Sequence, residues 1–155
     1  MKVYIGTDHT GFHLKETLKS YLGELSHAVE DMGAHAFDAR DDYPDFIHPV
    51  AEAVAKNPGS FGVIIGASGQ GEAMCANRVA GARAFVYYGP APKQQTDSSG
   101  NTLDIIASTR AHNDANILSL GARFITEEEA RQAVKLFLET PFSGDERHVR
   151  RLAKF

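Results

Sequence analysis

Short apolar runs alternate with segments of helical periodicity along most of the chain. Runs rich in β-branched and aromatic residues predict strands over 2–6, 28–32, 61–65, 82–88 and 117–120. Apolar residues that recur every three or four positions predict helices over 12–22, 46–54 and 130–138. This alternation predicts an α/β fold whose largely parallel sheet is covered on both faces. Pro49 lies inside the second predicted helix, which we therefore expect to start late or to bend there.

Length and composition narrow the class of protein. A chain of 155 residues, 43% of them hydrophobic, is expected to form one domain over 1–155. Sixteen basic against twenty acidic side chains give a net charge of -4, which argues against a nucleic-acid partner. No stretch approaches the ~20 apolar residues of a membrane span, and the amino terminus does not resemble a signal peptide. The single cysteine, Cys75, excludes an internal disulfide, so we expect a cytoplasmic protein.

The segment Gly66–Glu72 (GASGQGE) directly follows the apolar run 61–65. Three glycines and a serine at a strand exit allow backbone N–H groups to surround an anion, and a helix that opens there would add its positive end. The carboxylate of Glu72 stands at the mouth of this loop, where a bound phosphate would repel it. The loop therefore favours proton chemistry beside a stabilised oxyanion over plain phosphate binding.

Other polar side chains follow predicted strands, and each also has an ordinary structural interpretation. Asp8 and His9 come after the first strand, where Asp8 could simply cap a helix and His9 could be a hydrogen-bonded surface or core residue. The segment His112-Asn113-Asp114 precedes a strand instead. It is therefore not obvious from the sequence how these residues would reach a site at the carboxyl ends of the strands. Met74 occupies the place of the third glycine of a dinucleotide fingerprint, which argues against a Rossmann cofactor.

Metal-ligand spacing is absent from the remaining histidines. His13, His27, His35 and His48 show no such spacing with one another or with Cys75. Surface or capping roles explain these histidines, and we expect neither a metal nor a cofactor.

Several separate motifs together resemble those of one family. They occur in order as Thr7–Gly11 (TDHTG), Asp42–Pro44 (DYP), Gly66–Glu72 (GASGQGE), Ala76–Arg78 (ANR), His112–Asn116 (HNDAN) and Leu120–Arg123 (LGAR), followed by Arg147, His148 and Arg151. These blocks resemble the type B ribose-5-phosphate isomerase family, which includes the galactose-6-phosphate isomerase subunits. The resemblance covers nearly the whole chain apart from 89–104.

The resemblance implies a flavodoxin-like three-layer sandwich with a mainly parallel five-stranded sheet and a carboxyl-terminal helix. It also implies a homodimer or tetramer whose active sites are shared between two subunits. The implied reaction is the metal-free interconversion of an aldose phosphate and a ketose phosphate through an enediolate. Such a reaction needs a base beside the carbonyl carbon and preorganised donors for the oxygen that becomes negative.

The base is where this chain departs from the commoner family pattern. Many members carry a catalytic cysteine at the position of Gly66, whereas a subset lacks it and uses a glutamate at the position of Glu72. This chain matches the subset, so Glu72 is the expected base. Cys75 lies three residues further along and is interpreted as a small buried residue.

The resemblance also implies roles for other residues. Ser68 would move or hold the proton at the sugar oxygens, and His112 would open the sugar ring with Asn113 assisting at the oxyanion. The expected substrate-binding residues are Asp8, His9, Tyr43, Gly69, Gly71, Asn113, Arg123, Arg147 and Arg151, of which His9 and the three arginines would surround the phosphate. Without the resemblance, Arg147 and Arg151 are better explained as a solvated basic tail.

The substrate itself stays open at this level. Ribose 5-phosphate is the first choice, and a six-carbon phosphate such as allose or galactose 6-phosphate comes next. A phosphosugar-binding module without turnover is the alternative of a different class, although it would not need Glu72, Ser68 and His112 together. The polar segment 89–104, longer than in ordinary members, leads towards His112 and could line or cover the sugar pocket.

Overall fold

Five parallel strands form the central sheet of the computed structural model, which describes residues 1–93 and 95–155. The strands of this sheet are β1 (Lys2–Thr7), β2 (Ala28–Asp31), β3 (Phe61–Gly66), β4 (Ala84–Tyr87) and β7 (Ile117–Gly121). Two short strands, β5 (Gln95–Thr96) and β6 (Thr102–Leu103), lie outside it. The helices are α1 (Phe12–Glu24), α2 (Pro44–Lys56), α3 (Gln70–Ala76), α4 (Ile105–Asn113), α5 (Glu127–Glu139) and α6 (Glu146–Leu152). The sheet order is β2-β1-β3-β7-β4, and β5 pairs with β6 in a separate antiparallel hairpin. Gln94, inside the long segment 89–104, lies outside the described residues.

Alternating side chains of each strand supply two cores, one on each face of the sheet. Val63 and Ile65 of β3 join the core that α1 and α5 cover, whereas Ile64 joins the core under α2. Strands buried on both faces are continuously apolar, which is why the run 61–65 contains no charged residue. The predicted α/β architecture with a parallel five-stranded sheet and a carboxyl-terminal helix is confirmed.

The order of the last two strands sets the neighbours of the glycine loop. In the flavodoxin order the last strand lies at the edge, but here β7 lies between β3 and β4. Gly66 at the end of β3 is therefore in register with Gly121 at the end of β7. The strand order reverses between β1 and β3, and such a reversal opens a crevice at the carboxyl ends of the strands.

Pro49 neither delays nor ends α2. The helix begins at Pro44 and continues through Pro49 to Lys56, so the expected late start was wrong. Ile47, Val50 and Val54 on this helix are buried against the sheet, and their burial outweighs the loss of one backbone hydrogen bond. In the part of the chain that the structure describes, no helix is long and apolar enough to cross a membrane.

A buried ammonium group fixes the end of β2. Lys15 of α1 is fully buried, and its Nζ lies 2.7 Å from Asp31 Oδ1 and 2.6 Å from the carbonyl oxygen of Ala34. Asp31 also accepts hydrogen bonds from Lys19 Nζ at 2.6 Å and from the backbone N–H of Gly33 at 2.9 Å. Burial raises the pKa of the Asp31 carboxyl, but these donors outweigh burial and lower that pKa from 3.8 to about 2.

Replacing Asp31 by Asn should destabilise the protein in a pH-dependent way. The lowered pKa corresponds to about 2 kcal/mol of folding free energy, present above pH 3.8 and lost as the pH falls towards 2. Asp31→Asn should therefore cost about that much at pH 7, and urea titrations should show the difference from wild type shrinking below pH 4. The exposed Glu24→Gln is the matched control. A cost that does not vary with pH would contradict the assignment.

Candidate functional site

The carboxyl edge of the sheet collects one group of the predicted site residues. Thr7 of β1 is in register with Ile65 of β3, so Asp8 and His9 emerge beside the loop that starts at Gly66. Arg123 follows β7 at the same edge, and its backbone N–H donates to the carbonyl of Ala67 at 3.1 Å. The sequence motifs after the first and third strands therefore meet as predicted.

Two glycines shape the loop that leads into α3. Gly69 has a φ of 76°, a left-handed conformation that favours glycine, and its carbonyl accepts a 2.7 Å hydrogen bond from Ser119 Oγ. Gly71 belongs to the first turn of α3, and the Tyr43 hydroxyl lies 2.9 Å from the point where a Cβ on Gly71 would stand, so Tyr43 packs directly on this turn. The first turn of α3 leaves backbone N–H groups without helical partners at this place. Ser68 is half-buried in the same loop.

The carboxyl group of Glu72 folds back into the space beside Gly66. A Cβ built on Gly66 would overlap the Glu72 carboxyl carbon and both of its oxygens. Glu72 is only 5% exposed and belongs to the first turn of α3. The absence of a side chain at residue 66 is therefore what allows this carboxylate to lie at the end of β3.

The surroundings of Glu72 favour its protonated form. Burial raises the pKa of this carboxyl, its own backbone N–H lowers the pKa by hydrogen bonding, and the charge of Asp8 raises it again. The net shift is upward from 4.5. A carboxyl with a raised pKa in a crevice is a candidate general base, because its pKa then lies closer to the working pH.

His9 is held by an aspartate that the sequence motifs did not single out. Asp41 Oδ1 lies 2.6 Å from His9 Nδ1 and accepts the His9 backbone N–H at 3.0 Å. This hydrogen bond raises the pKa of the His9 imidazole, while burial and the Arg123 charge oppose the rise. Asp41 directly precedes the Asp42–Pro44 block, which was the only signal in the sequence that could have pointed to it. His9 is thus a candidate cation beside Arg123.

Two aspartates and a histidine at this edge are also close enough together to bind a metal ion. Atoms of Asp8, His9 and Asp41 lie within 4.8 Å of one another. Asp41 Oδ2 has no hydrogen-bond partner among the described residues. One oxygen of each aspartate already has a partner. Asp41 Oδ1 contacts His9 Nδ1, and Asp8 Oδ1 accepts the Thr10 N–H at 2.9 Å and caps the following turn. The expectation of a metal-free site stays a prediction.

A second group of predicted residues lies at the amino edge of the sheet. The His112 ring stacks on His148 with centroids 4.4 Å apart and planes 2° from parallel. Arg147 Nε lies 3.0 Å from His148 Nε2, and the charge of Arg151 also reaches His148. Asn113 lines a neighbouring cavity of about 770 Å³. Histidine and arginine side chains thus converge here, whereas His9 and Arg123, the other residues expected around the phosphate, lie at the opposite edge.

These two groups lie at opposite ends of the strands within one chain. The helix α4 ends at Asn113, just before β7 begins at Ile117, whereas Glu72 lies beyond the other end of β3. From Gly62, which is in register with Ile117, to Gly66 the strand advances roughly 13 Å. A single chain therefore does not bring His112, Asn113, Arg147 and Arg151 to Glu72.

Comparisons with known proteins identify the family of this chain. The family described as Ribose/Galactose Isomerase matches residues 3–155. Ribose-5-phosphate isomerase B of Mycobacterium tuberculosis is 37% identical over 152 residues, which cover 98% of this chain and 86% of that protein.

Solved structures extend the likeness to the whole fold. Ribose-5-phosphate isomerase B of Mycoplasma genitalium, solved with bound ribulose 5-phosphate, superposes with a TM-score of 0.84 at 36% identity, covering 99% of this chain and 92% of that chain. The type B enzyme of Trypanosoma cruzi gives a TM-score of 0.83 at 39% identity, covering 99% and 95%. The chain belongs to the ribose/galactose isomerase family.

Proposed function

We propose that this chain interconverts ribose 5-phosphate and ribulose 5-phosphate, with Glu72 as the base. The observation that carries the proposal is the buried Glu72 carboxyl in the space left by Gly66, at the mouth of a loop of backbone N–H groups. The choice of substrate rests on the relatives, which are named for this reaction, one of them solved with ribulose 5-phosphate bound.

Glu72 removes the proton from the carbon beside the carbonyl of the open-chain sugar. The neighbouring carbonyl oxygen then becomes negative, and the backbone N–H groups of residues 68–72 stabilise this enediolate. Ser68 holds or relays the proton between the two sugar oxygens, while Asp8 and Tyr43 bind hydroxyl groups. Glu72 returns the proton to the adjacent carbon, so no proton is gained or lost over the cycle.

The remaining residues come from a second copy of the chain. His112 opens the cyclic sugar and Asn113 assists at the oxyanion, but both lie at the far edge of the sheet from Glu72 within one chain. A two-fold dimer can join the amino edge of one copy to the carboxyl edge of the other, twice. The phosphate then lies among His9 and Arg123 of one copy and two arginines, Arg147 and Arg151, of the other.

Solvent exchange tests the function itself. Incubated in deuterium oxide with a panel of ribose, allose and galactose phosphates, the protein should incorporate deuterium beside the sugar carbonyl and should turn over ribose 5-phosphate fastest. Exchange only with a six-carbon phosphate would replace the substrate. Binding without any exchange would make the chain a phosphosugar-binding module instead.

Replacing the base should remove turnover without unfolding the chain. Glu72→Gln should lower kcat for ribose 5-phosphate by about 10³-fold and leave the melting temperature and ligand affinity largely unchanged. Cys75→Ser is the matched control and should keep its activity, since Cys75 takes no part in the chemistry. In the wild type, kcat/KM should rise with pH through the raised pKa of Glu72, because the carboxylate is the active form. More than a tenth of wild-type turnover in Glu72→Gln would exclude Glu72 as the base.

A single methyl group at residue 66 should have a similar effect. Gly66→Ala places a Cβ where the Glu72 carboxyl lies, so the carboxyl must move away from the loop. We expect kcat to fall by about 10²-fold, as for a displaced general base, with a smaller change in KM. Steady-state kinetics and a titration of the Glu72 carboxyl by NMR measure both effects. An active Gly66→Ala protein with an unshifted Glu72 pKa would contradict the geometry.

Mixing two inactive variants tests the shared site. Glu72→Gln and His112→Ala chains, unfolded together and refolded, should form hybrid dimers as half of all dimers. Each hybrid has one site with both residues intact, so about a quarter of wild-type activity should return. Each variant refolded alone is the control. If each site were built from one chain, mixing would restore nothing.

A further inference from the structure

The hairpin β5–β6 runs along α4 in register with it. Gln95 Nε2 hydrogen-bonds Ser108 Oγ at the start of this contact, and Asp97 reaches His112 one step further. Two strand residues advance roughly 6.6 Å and four helix residues advance about 6 Å, so both contacts fit one straight alignment. Asp104 joins the two elements, because its carboxylate caps α4 by accepting the Ala107 N–H at 2.8 Å. The hairpin and the helix therefore present Asp97 and His112 as one unit.

The turn of the hairpin holds the Asp97 carboxylate in one orientation. Oδ1 accepts the backbone N–H of Ser99 at 2.8 Å and that of Asn101 at 2.9 Å. Oδ2 faces His112, 3.5 Å from its Nε2, and also accepts a 3.4 Å hydrogen bond from Asn101 Nδ2. The backbone N–H of Asn101 is the largest influence that lowers the pKa of Asp97, although burial opposes it. Asp97 is thus a preorganised anion whose second oxygen faces Asn101 Nδ2 and one imidazole nitrogen.

Ser108 and His148 make further contacts with the His112 ring. Ser108 Oγ lies 3.4 Å from Nδ1, and His148 stacks on the ring face. Burial lowers the pKa of His148, and the charges of His112, Arg147 and Arg151 lower it further against the pull of Asp145. Asp97 contributes the carboxylate that faces Nε2 of the same ring.

We propose that Asp97, carried by the hairpin of residues 95–103, is a positioning residue for His112 in the sugar-ring-opening step. This inference rests on the proposed function, since it assigns a partner to the ring-opening histidine. A hydrogen bond from Nε2–H to the Asp97 carboxylate would fix the ring orientation and the tautomer, as carboxylates do beside other catalytic histidines. The hairpin of residues 95–103 would therefore influence the chemistry through His112.

Ring opening carries one proton from the anomeric hydroxyl to the former ring oxygen. Nδ1 of the imidazole takes the proton of the anomeric hydroxyl while Nε2–H stays directed at Asp97. The ring becomes imidazolium, the bond between the anomeric carbon and the ring oxygen breaks, and the aldehyde forms. The imidazolium then gives the same proton to the former ring oxygen. The Asp97 carboxylate stabilises the transient positive charge at His112 and takes no proton itself.

Ribulose 5-phosphate separates this step from the work of Glu72. Its C5 oxygen carries the phosphate, so it cannot close a five-membered ring and needs no ring opening before proton abstraction. Asp97→Asn keeps the shape of the turn and removes the charge, and Ser98→Ala in the same turn is the matched control. We expect Asp97→Asn to lower isomerisation of ribose 5-phosphate about tenfold, while deuterium exchange into ribulose 5-phosphate stays within about twofold of wild type. In Glu72→Gln both rates should fall.

A second measurement reads the pair without turnover. Nitrogen-15 shifts of the His112 ring should show the Nε2–H tautomer in the wild type and a mixture in Asp97→Asn, with Ser98→Ala unchanged. Equal loss of exchange and isomerisation in Asp97→Asn, or an unchanged His112 tautomer, would overturn the proposal. A wild type with the expected tautomer but no turnover of either pentose phosphate would instead overturn the proposed function.

Discussion

The candidate site depends on a carboxylate that occupies the space of a missing side chain. Gly66 ends the central strand β3 without a Cβ, and the Glu72 carboxyl fills that gap from the first turn of α3. Burial there raises the pKa of Glu72, which brings a weak base closer to the range in which it can abstract a carbon-bound proton. The chemistry and the strand end are therefore one structural feature, and neither residue can change alone.

The sheet order divides the functional residues between its two edges. Because β7 lies beside β3, the loop after β3 and the turn after β7 meet at the carboxyl edge, which brings Arg123 close to His9. The same connection leaves α4 to end at the amino edge with His112. In the proposed function, a second copy would be needed to join Glu72 to His112, because the length of the sheet separates them within one chain. Dimerisation would then be part of catalysis as well as of stability.

The long segment 89–104 adds residues to the group around His112 and none to the central sheet. Its hairpin is short, and the contacts that hold it to α4 come from side chains, with Gln95 on Ser108 and Asp97 beside His112. The segment lies outside the central sheet and both cores. It places a carboxylate next to His112, a residue of the HNDAN motif.

The sequence by itself determined the parallel sheet, the two covered faces and the identity of the glycine loop, because apolar periodicity and strand-end glycines are local patterns. It also selected Glu72, since Gly66 and Glu72 could be compared with the family motif directly. Only the tertiary structure decided that Asp41 holds His9, that α2 passes through Pro49, and that Asp97 meets His112. These outcomes depend on contacts between residues distant in the chain, or on burial that outweighs a local preference, and neither leaves a periodic signal in the sequence.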